Sequence, residues 1–253
     1  DAESFNLNQD SGLLVFITAP DYEIKSSYNI LVTATGGTGS TEQTVNIVVN
    51  NLNDNSPSIT SSNTFSADEN QTSIGSIVAA DADGDSISYS ISSNDILIDP
   101  NNGLMVFSSS PDYEITSSYS GIVTVSDGEN SSSQVITVSI NNLNDNDPVF
   151  TSSATFSINE NELSVATVTA TDADNDEISF IVSGSDLSIT TSGFLTFNSA
   201  PDFESQSTYS ATVTASDGLN TAQQTINITV VDVNEAPQIT SNSSFTIDEN
   251  QTA

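Results

Sequence analysis

The chemistry available to this chain is that of carboxylates. Asp and Glu provide 34 of its 253 residues against a single base, Lys25, with no His and no Cys, for a formal net charge of −33. The acids recur in fixed settings: Glu69 and Glu160 in "DEN" and "NEN"; Asp81 and Asp83, then Asp172 and Asp174, in "DADGD" and "DADND"; Asp112 and Glu114, then Asp202 and Glu204, in "PDYE" and "PDFE"; Asp127 and Asp217 in "SDG"; Asp54 and Asp145 in "NLNDN". Paired carboxylates can trade protons in catalysis, but here no nucleophile–base set and no cofactor fingerprint accompanies them, so the reading is non-enzymatic. Close like charges repel, and no Lys or Arg is at hand to neutralise them. Hard oxygen donors in this number, without His or Cys, select Ca²⁺ over zinc or iron, since Ca²⁺ takes about 6–8 oxygens at roughly 2.3–2.6 Å in flexible geometry.

The elements that must carry these acids follow from a repeat. Pro57, Pro148 and Pro237, each closing an Asn/Asp-rich stretch, stand 91 and 89 residues apart, and "APDYE", "SPDYE" and "APDFE" keep the same beat. So do "FSADEN", "FSINEN" and "FTIDEN", from Phe65, Phe156 and Phe245. A unit near 90 residues exceeds the roughly 20–50 of a solenoid repeat and matches a small β-sandwich with its own core. The boundaries are 1–56, an incomplete repeat that lacks about the first third of a domain; 57–147 and 148–236, two full repeats; and 237–253, which stops after the opening strand of another. The sequence reads as a window on a longer chain.

Within each repeat, alternating apolar runs are separated by turn residues every 8 to 12 positions, and helical stripes are absent. In "YSATVTASDG", Tyr209, Ala211, Val213 and Ala215 share one face; the counterparts are Tyr119, Gly121, Val123 and Val125, and Tyr28, Ile30, Val32 and Ala34. The aligned tyrosines read as core or corner residues. "QQTINITVVDV" gives a last strand with Ile226, Ile228 and Val230 inward. The class is all-β. The recurrent acids all fall where strands end, so in an antiparallel sandwich they gather at the two poles of each domain. Glu69, Asp112 and Glu114 then approach the "NLNDN" linker from one side, and Asp172, Asp174 and Asp217 from the other, with Asn144 and Asp145 between. Asp contributes carboxylate oxygens there, Asn contributes neutral ones, and the following Pro stiffens the exit.

Composition closes off other partners. A charge of −33 excludes a nucleic-acid footprint and argues against anionic membrane surfaces, and no membrane-spanning stretch lies within the sequence. The absence of Cys means that no disulfide staples the domains. "DADGD" fails as an EF-hand loop, because its sixth position is Ser86 and its twelfth Ser92, with strand residues on both sides. Five Asn-x-Ser/Thr sequons, at Asn70, Asn130, Asn227, Asn242 and Asn250, are what so Asn- and Ser-rich a chain yields by chance.

Taken together, the Glu of "DENQ", "PDYE", "DADGD" followed by "YSI", "Y-x-x-x-V-x-V-x-DG" and "NLNDNDP" resemble the motifs of the cadherin repeat over essentially the whole chain. The resemblance implies tandem seven-stranded Greek-key sandwiches joined end to end, with several Ca²⁺ ions in each linker. Residue by residue, it implies that the middle linker uses Glu69, Asp112, Glu114, Asn144, Asp145, Asp172, Asp174 and Asp217, with backbone oxygens of Leu143 and Asn146. The first linker would use Asp21, Glu23, Asn53, Asp54, Asn55, Asp81, Asp83 and Asp127, and the third Glu160, Asp202, Glu204, Asp232, Asn234 and Glu235. There are departures. Asn51 and Asn142 replace the opening Asp of the linker motif, Glu235 and Ala236 replace the central Asp and last Asn of the third, and Gly36 replaces the Asp of "SDG". The implied function is a Ca²⁺-stiffened rod outside the cell, a stalk or contact surface of a surface adhesin. The alternatives are a structural subunit of a filament and, more weakly, a carbohydrate-binding module. Partners would be neighbouring repeats of the same or identical chains, surface proteins or polysaccharide. No Trp is present for anchored strand exchange, and the low-Lys, Asn/Asp/Thr-rich composition resembles large secreted bacterial repeat proteins.

Overall fold

The computed structural model describes residues 1–250. The chain forms two compact units, Asp1–Leu143 and Asn144–Ala253, and each is described by itself.

In the first unit, residues 58–141 form a sandwich. One sheet has the strand order Thr64–Asp68, Ser131–Asn141, Ser118–Ser126, Ser88–Ser92, and the other Ile96–Ile98, Leu104–Phe107, Ser73–Ser76. The opening strand is broken: Ser58–Ile59 pairs antiparallel with Ala79–Ala80, and Thr64–Asp68 then runs parallel to the last strand. Counting the broken first and second strands once each gives seven. The alternating rows do what their period demands: Val123, Val125, Ile136 and Val138 are fully buried, facing Ile96 and Met105 of the opposite sheet. Each such side chain contributes about 1.5–3 kcal/mol relative to exposure. Tyr119 packs its ring 5.0 Å from that of Phe107, and Tyr28 lies edge-on to Phe5 and Phe16, so the aligned tyrosines belong to the cores.

The second unit repeats this plan over residues 149–231. Its four-stranded sheet runs Thr155–Asn159, Thr221–Val231, Thr208–Ser216, Ser179–Val182, and its three-stranded sheet Ser164–Thr167, Phe194–Phe197, Leu187–Ile189. Ile226 and Ile228 are buried in one cluster with Val213, Ala215 and Leu195, and Val230 is buried as well.

Two expectations need correcting. In the first repeat only Tyr28 and Ile30 of the expected inward row are buried, whereas Val32 is half-buried and Ala34 exposed. The hairpin of Ser27–Gly36 with Gly39–Val48 is two-stranded, and the Phe5–Leu7 and Leu14–Phe16 pair covers only its Tyr28 end. The opening strand expected in 237–253 is likewise absent, since no strand occurs in residues 232–250. Its counterparts exist by pairing with the last strand of their own repeat, and the described residues offer 245–248 no such partner.

Candidate metal centre

The acids sit where the fold plan requires, on turns at strand ends. In the first unit the "DADGD" turn lies between Ala79–Ala80 and Ser88–Ser92. Asp81 Oδ1 accepts the amides of Asp83 (3.0 Å) and Asp85 (3.2 Å), winding the loop around its own carboxylate, while Gly84 takes φ +82°. Strands rather than helices flank this loop, which excludes an EF-hand. Asp83 is thereby turned inward, with 9% of its surface exposed. Its Oδ2 accepts the linker amides of Asp54 (3.1 Å) and Asn55 (2.8 Å), and its Oδ1 the Asn55 side-chain amide (2.8 Å). Asn51 donates to the Asp83 carbonyl at 2.7 Å, a contact that an Asp at this position could not make. Asn53 and Asn55 are half-buried and Asp54 is exposed, so the alternation turns neutral side chains toward the domain and leaves the charge outside.

Glu23 closes the group. One carboxylate oxygen from each of Glu23, Asp54 and Asp83 lies within 4.8 Å of the others. Desolvation and the nearby Asp83 and Asp21 charges hold Glu23 above its ordinary value of 4.5. Desolvation also pushes Asp83 up, but hydrogen bonds from Asn55, Glu23 and Asp54 outweigh it and keep that group below 3.8. Asp21 spends Oδ1 on the Ile24 amide (3.0 Å), capping the "PDYE" turn. Asp127 Oδ1 accepts the amides of Glu129 (2.8 Å) and Asn130 (2.6 Å); these donors and Asn53 outweigh its desolvation and lower its pKa. The second oxygens of Asp81 and Asp127 are buried without a protein partner.

Glu69, at the other pole of the second repeat, has 2% of its surface exposed. Its Oε1 accepts the Leu143 amide (2.7 Å) and its Oε2 the Tyr113 amide (2.8 Å), fastening both the outgoing chain and the "PDYE" turn. Asp112 Oδ1 caps Ile115 at 3.1 Å, and Glu114 is exposed on the same turn.

The second unit reproduces both arrangements. Asp174 Oδ2 accepts the amides of Asp145 (3.0 Å) and Asn146 (2.8 Å), and its Oδ1 the Asn146 side chain (2.9 Å). Asp172 Oδ1 accepts the Asp174 amide (2.9 Å) and Asp217 Oδ1 the Asn220 amide (2.6 Å), and again the second oxygen of each is buried and unpartnered. Asn144 and Asn146 are half-buried. Glu160 accepts the amides of Val233 (2.8 Å) and Phe203 (3.1 Å), and its oxygens gather with those of Asp202 and Glu204. Against the pull of its own backbone amide, Glu204 is raised above 4.5 by desolvation and by Glu160, Glu235 and Asp232. Asp232, Asn234 and Glu235 are exposed; Glu235 accepts from Asn161 at 3.1 Å.

Three features escaped the sequence reading. Asp85 and Asp176 each join the two assigned acids of their loop; the third Asp of "DADGD" and "DADND" was the available signal. Asn130 and Asn220 reach the linkers, and the shared "SDGxN" spacing marks them. Asp83 and Asp174 brace linker backbone as well as joining the acid clusters of their loops, which residue type alone does not disclose.

Residues 144–229 match the family model described as "Bacterial Ig domain". Human Protocadherin Fat 4 is 31% identical over 267 residues, 93% of this chain and 5% of that protein, and human Cadherin-23 is 32% identical over 278 residues, 93% of this chain and 8% of that protein. The crystal structure of mouse Cadherin-23 EC22-24 superposes with a TM-score of 0.71 at 24% identity, covering 91% of this chain and 83% of that one. These are cadherin-like repeats. The chain spans under a tenth of the length of those two cadherins. The two repeats over residues 58–141 and 149–231 are each a seven-stranded Ig-like sandwich with acids at both poles. Among the described residues, no helix is long and apolar enough to cross a membrane.

Proposed function

We propose that the linkers of these cadherin-like repeats bind Ca²⁺, several ions to each, and that the array acts outside the cell as the stalk or contact surface of an adhesin. The observation that carries this reading is the convergence of Glu23, Asp54 and Asp83, together with two buried carboxylate oxygens of the same repeat junction's turns, of Asp81 and Asp127, that have no hydrogen-bond partner. Buried unpaired carboxylate oxygens cost free energy unless a cation or donor meets them, and the only side-chain cation of the chain, Lys25, is engaged with Asp1. An all-oxygen donor set fits Ca²⁺.

The residues that would hold the ions at the first linker are Asp21, Glu23, Asn53, Asp54, Asn55, Asp81, Asp83 and Asp127. Recurrence of the same residue types extends the assignment to Glu69, Asp112, Glu114, Leu143, Asn144, Asp145, Asn146, Asp172, Asp174 and Asp217 at the middle linker, and to Glu160, Asp202, Glu204, Asp232, Asn234 and Glu235 at the third. Bound there, Ca²⁺ supplies positive charge that offsets carboxylate repulsion. The chain does the rest: Glu69 and Asp174 fasten successive parts of the linker to the domains that precede and follow it, and the buried Pro57 and Pro148 stiffen the exits. The partners would be neighbouring repeats of the same or identical chains, surface proteins or polysaccharide.

Thermal unfolding of the 253-residue chain in millimolar Ca²⁺ and in EGTA tests this. A site saturated at 100 times its Kd adds about 2.7 kcal/mol, so the transition should move up by several degrees with Ca²⁺. Coincident transitions would overturn the proposal.

A further inference from the structure

Both "SDGxN" turns end on a side-chain amide aimed at a linker. Asn130 Nδ2 donates to Asn53 Oδ1 at 2.9 Å and lies 3.4 Å from the backbone oxygens of Asn53 and Asn55. In the second unit, Asn220 Nδ2 donates to Asn144 Oδ1 at 2.7 Å, with the backbone oxygens of Asn144 and Asn146 at 3.4 and 3.3 Å. The same three acceptors meet the same donor in two independent copies.

What aims the amide is fixed as well. Asp127 Oδ1 holds the Asn130 backbone amide at 2.6 Å, and the Asn130 carbonyl accepts from Ser126 Oγ at 2.9 Å. Asp217 and Ser216 do likewise for Asn220, at 2.6 and 3.3 Å. An Asn amide has two N–H donors, whereas Asp, of nearly equal shape, has none at neutral pH. Three oxygens from one short strip repel one another unless a donor lies among them. Each carbonyl oxygen has two lone pairs, so one can meet the amide and the other remain for a cation.

We propose that Asn130 and Asn220 are positioning residues of the linker metal sites: their amides hold the linker oxygens in a single arrangement and thereby raise the affinity for Ca²⁺. The inference rests on the calcium reading above. It leads to a result whose sign opposes simple charge. Asn130→Asp adds a carboxylate beside a cation site, which by Coulomb attraction alone would tighten binding; with the donor removed and a fourth acceptor introduced, binding weakens instead.

The test is calorimetric titration of Ca²⁺ into the full chain and into its Asn130→Asp, Asn130→Ala and Asn220→Asp variants, with amide hydrogen exchange of residues 53–55 and 144–146 in EGTA. The expected result is about tenfold weaker binding at the affected linker in each variant, with the Asp form no tighter than the Ala form, and faster exchange confined to that linker. An Asn130→Asp affinity equal to or above that of the unmodified chain overturns the inference while leaving the calcium reading intact. Should the unmodified chain bind no Ca²⁺, the calcium reading fails and the positioning role toward a metal fails with it. Exchange unchanged in the variants removes even the bracing of the linker backbone. Asn220→Asp, in a separate unit, gives an independent answer if one variant does not fold.

Discussion

Glu69 and Glu160 are buried carboxylates whose two oxygens each accept one backbone amide, which orients the group and leaves lone pairs for a cation. Glu69→Ala leaves the Tyr113 and Leu143 amides unpaired, at about 1–3 kcal/mol each. Urea unfolding in metal-stripped buffer should therefore lose at least about 2 kcal/mol, and a loss under about 0.5 kcal/mol would show that water replaces the carboxylate freely. The titrating groups pull in opposite directions. Glu23 and Glu204 are raised above 4.5, so their contribution is favourable at low pH and is lost as pH rises through their folded values. Asp83, Asp127 and Asp217 are lowered below 3.8, so theirs is present above that range and lost as pH falls through the folded values. Acidification of the Ca²⁺-free chain from pH 7 should first raise Tm as the glutamates protonate and then lower it as the aspartates do. A Tm that only falls between pH 7 and pH 3 contradicts these shifts. Asn130 also bears on glycosylation: it heads a sequon, yet the nitrogen that would carry the sugar is half-buried against the linker.

At the scale of elements, the turns decide where the carboxylates point, and two glycines carry a tight backbone approach at the end of paired strands within each three-stranded sheet. Gly103 and Gly193 have φ +72° and +89°, and a Cβ on either would lie 2.4 Å from the Ile77 oxygen or 2.1 Å from the Val168 oxygen. Their carbonyls in turn accept the Ile77 and Val168 amides at 2.9 and 2.8 Å. Gly84 also has a positive φ, +82°, but opens onto free space. Gly84→Ala should cost only the left-handed penalty of about 1–2 kcal/mol. Gly103→Ala adds displacement of backbone and should cost clearly more, measured as the denaturant midpoint of each variant; equal losses would mean that the backbone yields without strain.

For the whole molecule, the governing fact is 34 carboxylates met by one lysine, a net charge of −33. Repulsion of that size works against closely packed, fixed joints wherever ions are absent, and Ca²⁺ would relieve it at the linkers. Small-angle scattering of the 253-residue chain should give a longer, better-defined maximum dimension with Ca²⁺ than with EGTA. Asp145→Ala should cancel that change while leaving the unfolding transitions of the individual domains in EGTA where they were. A variant that still lengthens with Ca²⁺ as much as the unmodified chain would separate Asp145 from the joint.

The sequence alone determined the repeat, its period, the all-β class and the inward rows, because a two-residue side-chain alternation and a 90-residue recurrence are one-dimensional facts. It also placed the acids at strand ends, since polar runs such as "NLNDN" interrupt that alternation visibly. Tertiary structure decided how each carboxylate spends its oxygens. Asp83 lies 29 residues from Asp54 and Asn130 lies 77 from Asn53, and no local pattern says that the first braces linker amides, that the second reaches linker oxygens, or that Asn51, standing where the linker motif has Asp, donates to the Asp83 carbonyl. It decided too that Val32 and Ala34 stay uncovered and that 245–248 forms no strand. Burial and strand formation depend on a partner surface, and a period records only a side chain's readiness for one.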